Sequence, residues 1–279
     1  MTDILHLPDV FNLIAYDKID STNEEAKRLA QKGAVHGTVV WAKTQQAGRG
    51  RRGRPWVSET GNLFCSFIIK SGIAKPGRSL AEISQLSFAT AVGVADALSQ
   101  VSTSQISTGA AEAPEIQRPI QCQIQCKWPN DILIDGRKTA GILLETVIGS
   151  QSKLEGVIAG VGVNVEHFPN GTEFPATSLQ AEGVVGVPLS SVLEAICLHF
   201  SKWLAVWENE GFQAIRLAWL EKAFGLGKPI SVRLPSETCS GVFEGLDPHG
   251  ALILNDNGTR RHIAAGDVYF DQAGLQRAV

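Results

Sequence analysis

Apolar and polar positions along this chain follow two regimes, and the change falls near Gly225. Upstream, amphipathic helical stretches alternate with apolar strands. Ser21-Thr22-Asn23-Glu24 has capping-box spacing, so Ser21 is expected to cap a helix, Glu24 to reach back to its start, and Gly33 to end it. Gly37 to Lys43 and Leu63 to Lys70 read as strands. Ser79-Leu80-Ala81-Glu82 repeats the capping pattern and opens a long helix with Ile83, Leu86, Ala91, Val94 and Leu98 on one face. Gln121 to Cys126, Ile132 to Ile134, Gly141 to Ile148 and Leu154 to Val165 continue the sheet, with Asp135-Gly136 as a hairpin turn. Ser191 to Glu194 caps a third helix running to Glu210, and Phe212 to Phe224 forms a fourth.

Downstream, short strands are separated by tight turns at Asp247-Pro248-His249-Gly250 and Asn257-Gly258. Pro229 to Leu234, Gly241 to Leu246, Ala251 to Leu254, Arg260 to Ala264 and Val268 to Phe270 are the strands, and such a run predicts a small barrel. The chain therefore divides into a large helix-and-sheet domain, residues 1–224, and a compact β domain, residues 225–279. Residues 99–119, rich in Ser, Thr, Ala and Gln without clear period, read as a surface loop insertion with no chemistry of its own.

Composition narrows the class. With 279 residues, 44% of them apolar and 19% charged, the chain has enough material for a sizeable core. A net charge of −3 argues against bulk affinity for nucleic acid or an anionic membrane. No apolar run is expected to reach membrane-spanning length and Met1-Thr2-Asp3-Ile4 lacks a basic leader, so a cytoplasmic location is expected. Five scattered cysteines suggest buried thiols; Cys122 and Cys126 have no second pair or nearby His to complete a metal site.

Against that mildly acidic background, Gly48 to Arg54 packs four arginines and three glycines into seven residues and runs into Pro55-Trp56. Guanidinium forks suit phosphate and carboxylate oxygens, and glycine allows close backbone approach. Gly48-x-Gly50-x-x-Gly53 matches the dinucleotide fingerprint in letters only, because residues 54–61 have no helical period. A Walker A loop is absent as well. Arginine contact must then replace a helix dipole as the source of anion stabilisation. Lys127-Trp128-Pro129-Asn130-Asp131 places donors at a strand end, a rigid platform. Trp128 by itself reads as packing. Lys138 to Glu145 and Gly160-Val161-Gly162-Val163-Asn164-Val165 carry small residues along strands; these leave room for a flat ligand or simply mark bulges in a packed sheet.

Taken in order, Ser21-Thr22-Asn23, the GRGRRGRPW loop, KWPNDILI, GRKTAGILLE and GVGVNV resemble the biotin protein ligases. The resemblance spans almost the whole chain. It implies an α+β fold, a mixed sheet with helices of the class II synthetase-like, biotin–lipoate ligase type, followed by an SH3-like β-barrel. It implies that biotin and ATP form biotinyl-5′-AMP, from which biotin passes to a lysine of a biotin carboxyl carrier protein. By that likeness Ser21, Thr22, Asn23 and Gln45 meet biotin, Arg49, Gly50 and Arg51 close over biotin and phosphate, and Lys127 stands by the carboxylate and α-phosphate. Arg51 and Lys127, with Arg52, Arg54, Trp56, Asn130 and Asn164, fall on the nucleotide side. Arg49, Arg51 and Lys127 are the expected catalytic groups, Mg²⁺ is expected to arrive with ATP, and no dedicated metal site is expected. The few residues before Ser21 argue against an operator-binding module, so no DNA partner is expected; a homodimer stays open. A lipoate or octanoate ligase shares the core fold and is the nearest rival. A non-catalytic RNA-binding module using the arginine loop is the more distant one.

Overall fold

The computed structural model of the chain describes residues 5–70, 79–108, 122–149 and 154–270. Seven strands form one mixed sheet in the order β1-β2-β3-β7-β6-β5-β4. They are β1 (Asn12–Ile19), β2 (Thr38–Gln45), β3 (Leu63–Ile69), β4 (Ile124–Lys127), β5 (Asp131–Ile134), β6 (Arg137–Ile148) and β7 (Leu154–Val163). Among the described strands only the β1–β2 pair is parallel; it is joined by α1 (Thr22–Gln31). Strand β1 has no counterpart in the sequence reading, because as an edge strand with a half-exposed face it lacks a long apolar run.

Strand β7 sorts the molecule into layers. Val157, Ala159, Val161 and Val163 face the main core, which is covered by α3 (Leu86–Thr108), α4 (Leu189–Glu210) and α5 (Phe212–Glu221). The opposite face carries Ile158, which joins Ala26 and Ala30 of α1 in a small second core, and then Gly160 and Gly162. Helices α3 and α4 touch closely because Gly93 has no side chain: a Cβ there would stand 3.0 Å from the Phe200 backbone. Phe11, Phe67 and Phe200 pack as one aromatic group beneath the sheet.

Several expected helix ends differ. Ser21 makes no side-chain cap. The Thr22 N–H instead donates to Gln45 Oε1 at 2.8 Å, so β2 caps α1, and Glu24 is drawn to Arg49 and Lys27. The Ser79–Glu82 capping box forms, but on a short helix, α2 (Leu80–Ser84), set off from α3 by Gln85. Helix α4 starts at Leu189 after Pro188, upstream of Ser191. Residues 99–108, expected in a loop, continue α3; Ser99, Ser102, Thr103 and Ser104 turn their hydroxyls back onto carbonyls one turn earlier. The remainder of the 99–119 segment lies outside the described residues. Contrary to the sequence reading, α4 is long and apolar enough, by length and composition alone, to cross a membrane; here Val192, Ile196, Phe200 and Leu204 bury it against the core.

The second sheet is antiparallel, ordered β11-β10-β9-β8-β12. Its strands are β8 (Pro229–Arg233), β9 (Thr238–Leu246), β10 (Leu252–Asp256), β11 (Thr259–Ile263) and β12 (Asp267–Phe270). Among the described residues its ladder does not close between β11 and β12. It is fixed to the larger layer by Trp219, which meets Phe88 of α3 and Phe243 of β9 edge-on, and by the Trp128 indole N–H, which donates to Gly250 O at 3.2 Å. This docking brings β12 beside the KWPND turn.

Candidate active site

Where β6 and β7 pair, Gly141 lies opposite Gly162 and Leu143 opposite Gly160. The missing side chains leave a hollow on the α1 face of the sheet, and a cavity of ≈ 420 Å³ opens above it. Two side chains use the space. The Asn23 amide sits against Gly160, and the Trp56 indole lies over Gly141 and Gly162, where added Cβ atoms would come within 2.9 and 2.7 Å of the ring. The glycines thus admit protein side chains first, and the wall they form is an indole plus an amide.

The arginine loop follows β2 and folds back on itself. Gly50 N–H donates to Arg54 O at 2.8 Å and Trp56 N–H to Gly48 O at 2.9 Å, pinching a turn of 3-10 type at Arg51–Gly53. No helix follows, so the glycine pattern does not build a dinucleotide site. Arg52 takes a left-handed backbone, φ 55°. Arg51 is half-buried and reaches toward Asn130 Oδ1 and Gly266 O, each at 3.4 Å; burial pulls its guanidinium below the ordinary arginine range, with Asp267 and Asp131 opposing. Arg52 and Arg54 both pair with the Asp267 carboxylate of β12. The loop is therefore clasped by the second sheet.

At the α1 end, polar groups interlock. Gln45 Oε1 accepts from Thr22 N–H and hydroxyl, and Gln45 Nε2 donates to Ser58 Oγ at 3.0 Å. The buried Ser66 hydroxyl donates to Asn23 Oδ1 at 2.6 Å, and Asn23 Nδ2 donates to Glu145 Oε2 at 2.7 Å. Arg49 is held between Glu24 and Glu145. Arg49 holds the Glu24 carboxyl below the usual range. Burial raises that of Glu145, but Lys27, Asn23 and Arg49 outweigh it.

At the other end stands Lys127, 7% exposed. Its ammonium makes a loose ion pair with Asp131 Oδ2 at 3.7 Å and stands 4.0 Å from the Phe174 ring centroid. Burial draws the Lys127 pKa below the ordinary lysine range, against the opposing pull of Asp131. Asp131 is committed to Lys138 at 2.6 Å; burial pushes its carboxyl up, and Lys138 with Lys127 outweighs this and holds it low. A nearly buried ammonium whose carboxylate partner is shared with a second lysine is well placed to receive a further anion. Asn130 Nδ2 donates to Ile142 O at 2.6 Å, and Asn164 Nδ2 to Thr177 O at 3.0 Å, so both amides are partly spent on structure.

The cavity brings together Ser21, Thr22, Asn23, Gln45, Arg49, Gly50, Arg51, Arg54, Trp56, Lys127, Asn130 and Asn164. Arg52 is the exception, lying outside the lining and paired to Asp267. Sequence reasoning gave no site role to Glu24, Ser66, Asp131, Lys138, Glu145, Phe174 or Asp267, although Lys138 and Glu145 bound a segment it singled out. Asp131 was in view as the last letter of KWPND; Phe174 and Asp267 carry no local signal and arrive only through tertiary folding. No cluster of three or more His, Cys, Asp or Glu able to hold a metal occurs among the described residues.

Comparison with known proteins gives a consistent match. Residues 15–164 fit the model of the biotin/lipoate A/B protein ligase family, and residues 225–271 fit that of the biotin protein ligase C-terminal domain. The biotin–[acetyl-CoA-carboxylase] ligase of Paracoccus denitrificans is 38% identical over 91% of this chain and 98% of its own. The bifunctional ligase/repressor BirA of Bacillus subtilis is 35% identical over 92% of this chain and 73% of its own. A solved biotin protein ligase from Aquifex aeolicus, in complex with biotin and ATP, superposes with a TM-score of 0.72 and 25% identity, covering 92% of this chain and 97% of that one.

Proposed function

The chain belongs to the biotin/lipoate A/B protein ligase family and carries a biotin protein ligase C-terminal domain, and from that membership we infer that it is an ATP-dependent biotin protein ligase. Biotin's carboxylate oxygen attacks the α-phosphorus of ATP, the bond to the β-phosphate breaks, and pyrophosphate leaves. The amine of a carrier-protein lysine then attacks the acyl carbon of biotinyl-5′-AMP, AMP leaves, and the amine gives up a proton. The family acts on biotin carboxyl carrier proteins. The lipoate alternative is not favoured, since the relatives found are named for biotin.

The observation that carries our residue assignment is the nearly buried Lys127 ammonium, only loosely paired with Asp131, lining a cavity rimmed by Arg49, Arg51 and Arg54. We place the α-phosphate and the biotin carboxylate at that ammonium, where negative charge must be neutralised as the two anions meet. Ser21, Thr22, Asn23 and Gln45 take the biotin end with Arg49 and Gly50. Trp56, Asn130, Asn164, Arg52 and Arg54 take the nucleotide side, with Arg52 acting through Asp267. No enzyme nucleophile is required; orientation and charge stabilisation do the work.

Magnesium enters as part of the nucleotide substrate. Asp131 and Asp267 are occupied by cationic side chains, so the phosphates and water would supply its ligands. We further propose that residues 1–224 form the catalytic domain and 225–279 a domain that closes its edge, and that the enzyme is cytoplasmic, where ATP is at hand.

Biotin-dependent exchange of labelled pyrophosphate into ATP tests the reading; exchange with lipoate or octanoate in its place would overturn it. Lys127→Ala should slow adenylate formation by about 10²-fold or more. Transfer from supplied biotinyl-5′-AMP should fall far less, and equal losses in both half-reactions would remove Lys127 from the α-phosphate.

A further inference from the structure

We propose that Phe174 is a positioning residue for the first half-reaction: its aromatic face holds the Lys127 ammonium charged and aimed into the cavity without spending any of its hydrogen-bond donors. The proposal rests on the placement of Lys127 at the α-phosphate and deepens it.

A buried lysine has two ordinary ways to remain in the protein interior. It can donate to carboxylates or carbonyls, which consumes donors and fixes the ammonium on the protein, or it can lose its proton. Lys127 takes the first only loosely: its carboxylate partner, Asp131, stands 3.7 Å away and is held more closely by Lys138, at 2.6 Å. Beside Asp131, the Phe174 ring packs on the ammonium, at 4.0 Å from its centroid. An aromatic face attracts a cation through its quadrupole and takes no hydrogen bond. The ring takes up none of the donors that incoming oxygens would use, and the cation is present before they arrive.

Phe174 is itself held firmly in place. Lys138 N–H donates to Pro175 O at 2.8 Å and Thr177 N–H to Lys138 O at 2.9 Å, stitching the segment to β6. On the other side Glu173 accepts from Arg233 at 2.8 Å and from the Tyr269 hydroxyl at 2.9 Å, tying it to the second sheet. The chain on either side of the half-buried ring is thus tied to both sheets.

The charged groups acting on Lys127 are Asp131 on β5, Lys138 on β6 and Asp267 on β12, while Arg51 of the arginine loop acts on Asp131. Asp131 and Asp267 favour the cation, Lys138 and burial oppose it, and the ring adds to the favourable side. Removing the π face while keeping apolar bulk should therefore let the ammonium lose its proton more easily.

The test is the pH dependence of biotin-dependent ATP–pyrophosphate exchange in wild type, Phe174→Leu, Phe174→Tyr and Lys127→Ala. Phe174→Leu should move the alkaline limb of kcat/KM for ATP down by about one pH unit. Phe174→Tyr, which keeps a π face, should restore the wild-type limb. Titration of the Lys127 side-chain signal by NMR, assigned with Lys127→Ala, should follow the same order independently of turnover. An unchanged limb in Phe174→Leu, or one moved upward because the ring only excluded water, would overturn the proposal. If Lys127→Ala kept full exchange, the assignment of Lys127 would fail, whatever Phe174 did. If Lys127→Ala lost exchange while both Phe174 variants matched wild type, only the role of Phe174 would fail.

Discussion

Gly162 has no side chain, and the Trp56 indole lies where one would begin: an added Cβ would stand 2.7 Å from the indole nitrogen. Gly162→Ala must therefore push the indole off the floor of the cavity, a form of overpacking that costs about 1–3 kcal/mol. If Trp56 serves the nucleotide, KM for ATP should rise by about tenfold or more, while biotin affinity, measured by titration calorimetry, stays within roughly twofold. Equal loss of both affinities would place the indole at biotin. At this scale the sequence was informative where chemistry is carried by unusual residue types. Four arginines in a loop and a lysine at a strand end were visible in one dimension. The glycine doublet was visible too, but its occupant was not, because Trp56 reaches β7 only after the loop has folded back. Phe174 and Asp267 were silent for the same reason, since their meaning lies in partners 47 and 213–215 positions away.

Strands β5 and β6 meet at an ion pair, Asp131 with Lys138, whose carboxylate side chain is 12% exposed. Taking away one partner of such a pair leaves charge without compensation, at a cost of about 3 kcal/mol. Asp131→Asn should lower the thermal midpoint markedly and draw the Lys127 ammonium further below its ordinary range. The pH dependence has a defined sign. Folding lowers the Asp131 carboxyl, because the two lysines outweigh its burial. The pair's contribution is then complete above the unfolded carboxyl value, near 4, and is lost as pH falls through the folded one. Unfolding measured from pH 7 down to pH 3 should show wild type losing its advantage over Asp131→Asn toward the acid end. A constant gap would remove the ionised carboxylate as the cause. Among the elements, strands and helices with long apolar periods were legible, whereas their ends were not. Ser21 has the letters of a cap and Gln45 performs it, so local spacing lost to a tertiary donor–acceptor match. Residues 99–108 looked like a loop because Ser and Thr are weak helix formers, yet their hydroxyls turn inward along α3.

Across the whole molecule, the second sheet docks through Trp219 and Trp128 and reaches the arginine loop through Asp267. Its side chain is 13% exposed and serves Arg52 and Arg54 together, while Arg51 reaches the neighbouring Gly266 carbonyl. The loop needs such a tether. Arg52 sits at φ 55°, a left-handed backbone that costs a non-glycine residue about 1 kcal/mol, and glycine precedes and follows the arginine pair. Both arginines are more than a third exposed, so each ion pair adds no more than about 1 kcal/mol, and global stability should hardly register its loss. The consequence should appear instead in what the loop does. Asp267→Ala should raise KM for ATP by about fivefold, the scale of one such pair, and leave the thermal midpoint within a degree or two. It should also speed tryptic cleavage within residues 48–54 and blunt the salt dependence of KM, because the screened pairs are already gone. A variant that unfolds early but binds ATP normally would assign Asp267 to holding the sheets together. One that keeps its midpoint and loses ATP affinity would make the second sheet part of the nucleotide site, reached through the arginines it holds.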